Sequence, residues 1–260
     1  MLSITDFRRI KRLLDSRLDT YLAPEFIQHD PVQIPHLFRI KEDIEIAGLL
    51  AATISWGQRK SIITGAKRIV SLMDSAPYDF VQNHTPADLR RLNGFVYRTF
   101  NGGDLIAFIG QLQGIYHHPG GLEAVFSSGF KRGGIKGGLT EFRTKMMAGI
   151  DDSHLTKHVA NVEKGSACKR LNMFLRWMVR SDASGVDFGL WKQIPASALA
   201  IPLDVNTALA SRMLGILNRK QNDWRAVVEL TEQLQKFDPI DPIKYDFALF
   251  SIGQCKDYSL

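Results

Sequence analysis

The chain has 260 residues, 45% hydrophobic and 23% charged. That composition supports a large packed core and excludes disordered or fibrous polymers. A formal net charge of +6 is compatible with a polyanionic partner without demanding one. Two cysteines, Cys168 and Cys255, are too few for a disulfide framework or a full set of metal thiolates, so a reducing cytoplasm is the expected compartment.

The opening stretch MLSITDFRRIKRLLDSRLDT alternates charged and apolar residues and holds no signal-peptide core. Phe7, Ile10, Leu13, Leu14 and Leu18 form one stripe of a first helix. The most apolar window, IEIAGLLAATISW, is too short to span a membrane and is bordered by Glu45, Arg59 and Lys60. Ile44 to Leu50 therefore open a buried helix, RKSIITGAKRIVSLMD forms a third, and no membrane partner is expected.

TPADLRRL carries a helix-start signal, with Thr85 as cap and Pro86 in the first turn. In NGGDLIAFIGQLQGIY, Asp104 is placed to cap an apolar helix, and GGLEAVFSSGF gives another short one. KRGGIKGG, with four glycines and three basic residues, follows no strand and ends in no Gly-Lys-Ser/Thr. It reads as a flexible surface loop rather than a phosphate cradle. Few segments alternate as strands do, so the expected fold is all-α.

Residues 131–180 carry eleven Lys or Arg against four acids, Glu141, Asp151, Asp152 and Glu163. Such a basic stretch is either a solvated face or the footprint of a phosphate backbone. His154 and His158 stand at i, i+4, a spacing that a metal can use, but no third ligand is evident in sequence. They read as surface residues, and no metal or cofactor is expected.

Within the basic stretch lies VEKGSACKRLNMFLRWMVR. Gly165, Ser166 and Ala167 make a small-residue turn whose amides suit a phosphate oxygen. Lys169 then opens a helix, where the dipole disfavours a cation and favours a neutral, nucleophilic amine. Lys164 is the rival amine, and Cys168 is expected to pack as a small apolar residue. Further on, IPLDVNTALASRMLG sets Asp204 at the mouth of a helix, where its local reading is an N-cap.

These segments resemble the helix-hairpin-helix DNA glycosylases. GSACK is similar to their Gly-x-Gly-x-Lys hairpin, which ends in a catalytic lysine. IPLDVNTALASRMLG is similar to the following motif, which holds a catalytic acid, and KYDFALFSIGQCKD to their closing helix. The chain looks like a bacterial branch related to this superfamily, and its 35-position gap between Lys169 and Asp204 lies nearest the archaeal 8-oxoguanine glycosylases. EIAGLLAATISWGQRKSI is similar to the helix that lines the base pocket and ends in a polar wedge.

There are departures. Ala167 replaces the second glycine of the hairpin, and Leu209 stands where many relatives have arginine. Cys255 alone in its region implies no four-cysteine iron–sulfur cluster.

The resemblance implies two helical subdomains with a cleft between them, 46–184 holding the hairpin and 1–45 with 185–260 forming the second. It implies a monomeric, nucleoid-associated enzyme that flips a damaged base, in particular an oxidised purine, from duplex DNA. Lys169 would attack the sugar through a Schiff base, Asp204 would assist, and β-elimination would give lyase activity. Gly165, Ser166, Ala167, Lys164 and Arg170 would hold the DNA, with Gln58, Trp56 and Trp177 at the wedge or pocket. The alternative is a non-catalytic helix-hairpin-helix module that binds DNA or RNA. The residues assign Asp246 no role, and Asp241 reads as the cap of the last helix with Pro242 in its first turn.

Overall fold

The computed structural model describes residues 4–21, 25–150, 154–181 and 183–255. In chain order these form α1 (Ile4–Tyr21), α2 (Glu25–Gln28), α3 (Lys41–Thr53), α4 (Arg59–Leu72), α5 (Pro77–Asn83) and α6 (Pro86–Leu92). A small antiparallel hairpin of β1 (Val96–Tyr97) and β2 (Phe100–Asn101) precedes α7 (Gly102–Tyr116) and α8 (Gly121–Met146). The chain continues through α9 (Lys169–Val179), α10 (Val205–Met213), α11 (Trp224–Phe237) and α12 (Tyr245–Cys255). The protein is mostly helical, as its periodicity predicts, and no helix among the described residues is long and apolar enough to cross a membrane.

The chain divides into two compact units, Ile27–Asn161 and Met1–Phe26 with Val162–Leu260. The boundaries expected near 46 and 184 are thereby displaced. Residues 162–184, including α9, group with both termini, because α9 buries its apolar face and two arginines among residues later in the chain.

In the 27–161 unit, α3 is buried from Asp43 to Thr53, with Ile46, Leu49, Phe100, Phe108 and Phe126 in the core. At the start of α6 Thr85 is the expected cap, and Asp88 completes a capping box: the Asp88 amide donates to Thr85 Oγ1 (3.3 Å) and the Thr85 amide to Asp88 Oδ2 (2.8 Å). The cap of α7 differs from expectation. Asn101 is the N-cap, and Asp104, three residues on, accepts the Asn101 amide at 2.8 Å.

The glycine-rich segment is also different. It lies in α8, helical on both sides of an exposed turn where Gly133 and Gly134 (φ +59°) leave helical geometry, and is not a loop along its whole length. The two halves meet at glycines: a Cβ on Gly129 would overlap the Gly137 carbonyl, and one on Gly138 would press on the Phe126 carbonyl. The glycines thus permit close helix contact rather than mobility.

In the other unit, α1 packs on α12, where the Tyr245 hydroxyl donates to Asp15 Oδ1 at 2.8 Å. α10 packs on α12 so closely that a Cβ on Gly253 would overlap the Asn206 backbone. Asp241 does not cap α12. It precedes a 3-10 turn, Pro242–Lys244, and spends its carboxylate on Arg180 at 2.9 and 3.0 Å.

Close packing at Gly129 predicts that Gly129→Ala lowers stability by about 1–3 kcal/mol. Gly110 lies on the exposed side of α7 with nothing within 4 Å of a new Cβ. Gly110→Ala should instead stabilise by about 0.5–1 kcal/mol. Urea unfolding of the two variants checks both signs.

Candidate active site

Lys169 is the first residue of α9, and its position follows from the turn before it. Gly165 adopts φ +84°, where a side chain is strained, and Cys168 reaches φ +50° as the N-cap residue. The Gly165 amide donates to the Val162 carbonyl (2.9 Å), and the Cys168 amide to Ser166 Oγ (3.2 Å). Gly165 O accepts from the Trp224 amide at 2.9 Å, so the turn is fastened to the start of α11. One of the amides expected to face a phosphate, that of Gly165, is therefore engaged internally. The residues running into Gly165 hold a 3-10 turn, Leu155–Lys157, and further turns. Among the described residues, then, the turn is followed by an α-helix but not directly preceded by one.

Lys164 is exposed, while Gly165, Ser166, Ala167, Lys169 and Arg170 are half-buried. Burial pulls the Arg170 guanidinium below its usual pKa. Cys168 is buried and packs as expected. Trp177 is fully enclosed in the core, which corrects its assignment as a base-stacking residue. In the other unit, Trp56 is half-buried, edge-on to Tyr97 (5.4 Å) and stacked on His158 (5.9 Å). Gln58 is exposed at the start of α4 and makes no side-chain cap bond.

One face of α9 carries Lys169, Met173, Arg176 and, just past its end, Arg180, positions that recur at helical spacing. Lys169 Nζ lies 3.7 Å from Met173 Sδ, a weak acceptor, which is its hydrogen-bond partner among the described residues. One turn into α9, Asn172 donates through Nδ2 to the Ala167 carbonyl (3.1 Å) and the Ile201 carbonyl (3.5 Å). This buried amide ties the lysine's turn to the segment leading into α10.

At the head of α10 stands Asp204. Its Oδ1 accepts from the Thr207 amide at 2.8 Å, as an N-cap does, and its second oxygen has no hydrogen-bond partner among the described residues. Lys169 and Asp204 form no ion pair with each other among those residues.

The group that both charges act on is Asp246, in the first turn of α12. It is buried and paired with Arg176 Nη1 at 2.5 Å. Its pKa is pushed up to about 6: burial raises it most, the Arg176 cation opposes, the Asp204 charge raises it, and the Lys169 ammonium lowers it. Asp246 thus lies in the field of both candidate groups. The sequence cue that could have found it is a charge opening an otherwise apolar helix.

A family model described as "Protein of unknown function (DUF2400)" matches residues 30–255. The chain belongs to the DUF2400 family. No curated protein matches it, and no solved structure matches it. In this DUF2400 chain, the matched span contains the turn, Lys169, Asp204 and Asp246, so the cluster is part of the family's domain. A cavity of about 200 Å³ in the 27–161 unit, lined by Lys41, Glu45, Tyr116 and Gly121 among others, contains none of these three.

The basic stretch 131–180 is less free than its composition implies. Arg176 and Arg180 are buried against Asp187, Asp246 and Asp241; Arg132 bonds Glu141; and Arg143 donates to the Val159 carbonyl.

The Asp246 shift gives a signed pH dependence. Its folded pKa lies above the ordinary 3.8, so the folded chain holds this proton more tightly than the unfolded one. The stability it contributes is full below about pH 4 and is lost as pH rises through about 6, a difference of about 3 kcal/mol. Against Asp246→Asn, which has no such proton, wild-type unfolding free energy should fall by that order between pH 4 and 7 in urea titrations.

Proposed function

We propose that this DUF2400 protein is a DNA glycosylase with abasic-site lyase activity, using the Lys169 amine as nucleophile and Asp204 as the assisting carboxylate. The observation that carries this reading is the convergence of the α9 and α10 starts, stitched by Asn172, with Lys169 and Asp204 both acting on Asp246. Phosphate binding alone has no use for an acid at that place. The reading takes the chain as a variant of the helix-hairpin-helix architecture, with duplex DNA carrying a damaged base, such as an oxidised purine, as substrate.

In the proposed reaction, Asp204 takes a proton from the ammonium of Lys169. The amine nitrogen forms a bond to the sugar's C1′ as the glycosidic bond breaks, and the electron pair leaves with the base, which takes up a proton. Asp204 passes its proton to that departing base, the ring oxygen takes a proton from the attached nitrogen as the ring opens, and the regenerated Asp204 carboxylate stabilises the positive charge of the resulting iminium. Loss of a C2′ proton then expels the 3′-phosphate. Asp204 serves both cap and chemistry because the two uses engage different oxygens.

Borohydride trapping on duplexes containing an abasic site or 8-oxoguanine tests the proposal. Wild type should give a covalent adduct, and Lys169→Gln none. Asp204→Asn keeps an N-cap side chain, so its Tm should stay within a few degrees while adduct formation falls about 10²–10⁴-fold. No wild-type adduct, or an adduct that survives in Lys169→Gln, overturns the assignment. Salt-sensitive DNA binding without any adduct would instead favour a non-catalytic nucleic-acid module.

A further inference from the structure

His154 and His158 are not the surface residues expected from the sequence: His158 is buried and His154 half-buried. They flank the 3-10 turn Leu155–Lys157, in which the Lys157 amide donates to the His154 carbonyl and the His158 amide to that of Leu155. The turn sends both imidazoles toward one place at the start of α7. There they meet Asp104, the third residue of that helix. His154 Nδ1 lies 2.6 Å from Asp104 Oδ1, and His158 Nε2 lies 3.5 Å from Asp104 Oδ2. One ligand atom from each of the three residues lies within 4.8 Å of the others.

We propose that Asp104, His154 and His158 bind a divalent transition-metal ion, with Zn²⁺ as the ion best matched to the donors. Two imidazoles and a carboxylate suit a borderline ion rather than Mg²⁺ or Ca²⁺, which prefer oxygen donors alone. Ligands of one tetrahedral zinc ion at about 2.0–2.2 Å lie about 3.3–3.6 Å apart; the His158–Asp104 separation of 3.5 Å already fits, and the His154–Asp104 contact of 2.6 Å opens by a small side-chain rotation to admit the ion. The ion takes the place of the direct His154–Asp104 hydrogen bond.

Burial favours the site as well. The side chains of Asp104 and His158 are 2% exposed and that of His154 is 36%, so the site has a dry floor and one side open for an ion and its water. Trp56 stacks on His158 at 5.9 Å and Phe100 meets it edge-on at 5.0 Å, which fixes the imidazole's plane. Asp104 Oδ2 also accepts the Asn101 amide, so its direction is set by the helix cap. The positive end of the α7 dipole opposes a cation there, and the carboxylate offsets it. Bound metal would tie the segment from His154 to Asn161 onto α7 and the loop after α3.

Metal-stripped protein titrated with Zn²⁺ by calorimetry should bind one ion per chain, unaffected by excess Mg²⁺, and Tm should rise with Zn²⁺ concentration. His154→Gln, at the half-exposed ligand outside the helix cap, should keep the fold by circular dichroism and lose at least tenfold in affinity. X-ray absorption of the wild-type zinc complex should report two imidazoles and a carboxylate without sulfur. Failure to bind one equivalent, equal affinity in folded His154→Gln, or a sulfur ligand would overturn the site.

Discussion

Much of the 1–26/162–260 unit depends on buried charge held in α9. Arg176 and Arg180 are almost fully enclosed, and so is Asp187, which accepts from both. Asp246 and Asp241 complete the arrangement, and the Phe247 ring lies 4.1 Å from the Arg176 guanidinium carbon and 5.8 Å from that of Arg180. Stranding one such charge costs several kcal/mol, whereas the paired set is tolerated. Rotation or sliding of α9 by one residue would break several of these contacts at once. The network therefore sets the helix's register, and with it the direction in which Lys169 leaves the first turn.

Helix starts supply the second constraint. Asp204, Asp223 and Asn101 each accept a first-turn amide through a side-chain oxygen. At Asp223 the neighbouring Arg219 is the main cause that holds the carboxyl down to about 2. Capping fixes a short side chain by a backbone hydrogen bond, which a flexible Glu or Lys lacks. A carboxylate placed in this way needs no further support to keep its direction. Thr207, whose amide holds Asp204, is itself buried, so the cap is anchored in the core.

What was readable in the sequence is what local chemistry decides. Lys169 as a helix start, Asp204 as a cap and Thr85 as a cap all follow from residues within one turn. What was not readable depends on partners far along the chain. Asp104 and His154 are 50 residues apart, and Arg176 and Asp246 are 70 apart, so no window contains either pair. The α8 glycines misled for a related reason. A glycine that allows close backbone contact and one that loosens a loop are the same letter, and only the opposing carbonyl of Gly137 or Phe126 tells them apart. Trp177 lay on a plausible helical side, but an indole carries enough apolar area that the core claims it.

The same distinction bears on charge. Counting Lys and Arg along 131–180 treats every cation as available to a polyanion, yet Arg176 and Arg180 are neutralised inside the fold and Arg132 pairs with Glu141. Counterion release scales with the phosphates that cations reach, so only solvent-facing groups add to the salt dependence of binding. Lys131, Lys145, Lys157 and Lys164 are exposed, and Arg170 is half-buried. The buried arginines act otherwise: by holding α9 in place they aim a single amine. In this chain the basic residues serve two physical ends. Those in solvent set how strongly an anion is attracted, and those in the core set where the Lys169 amine points.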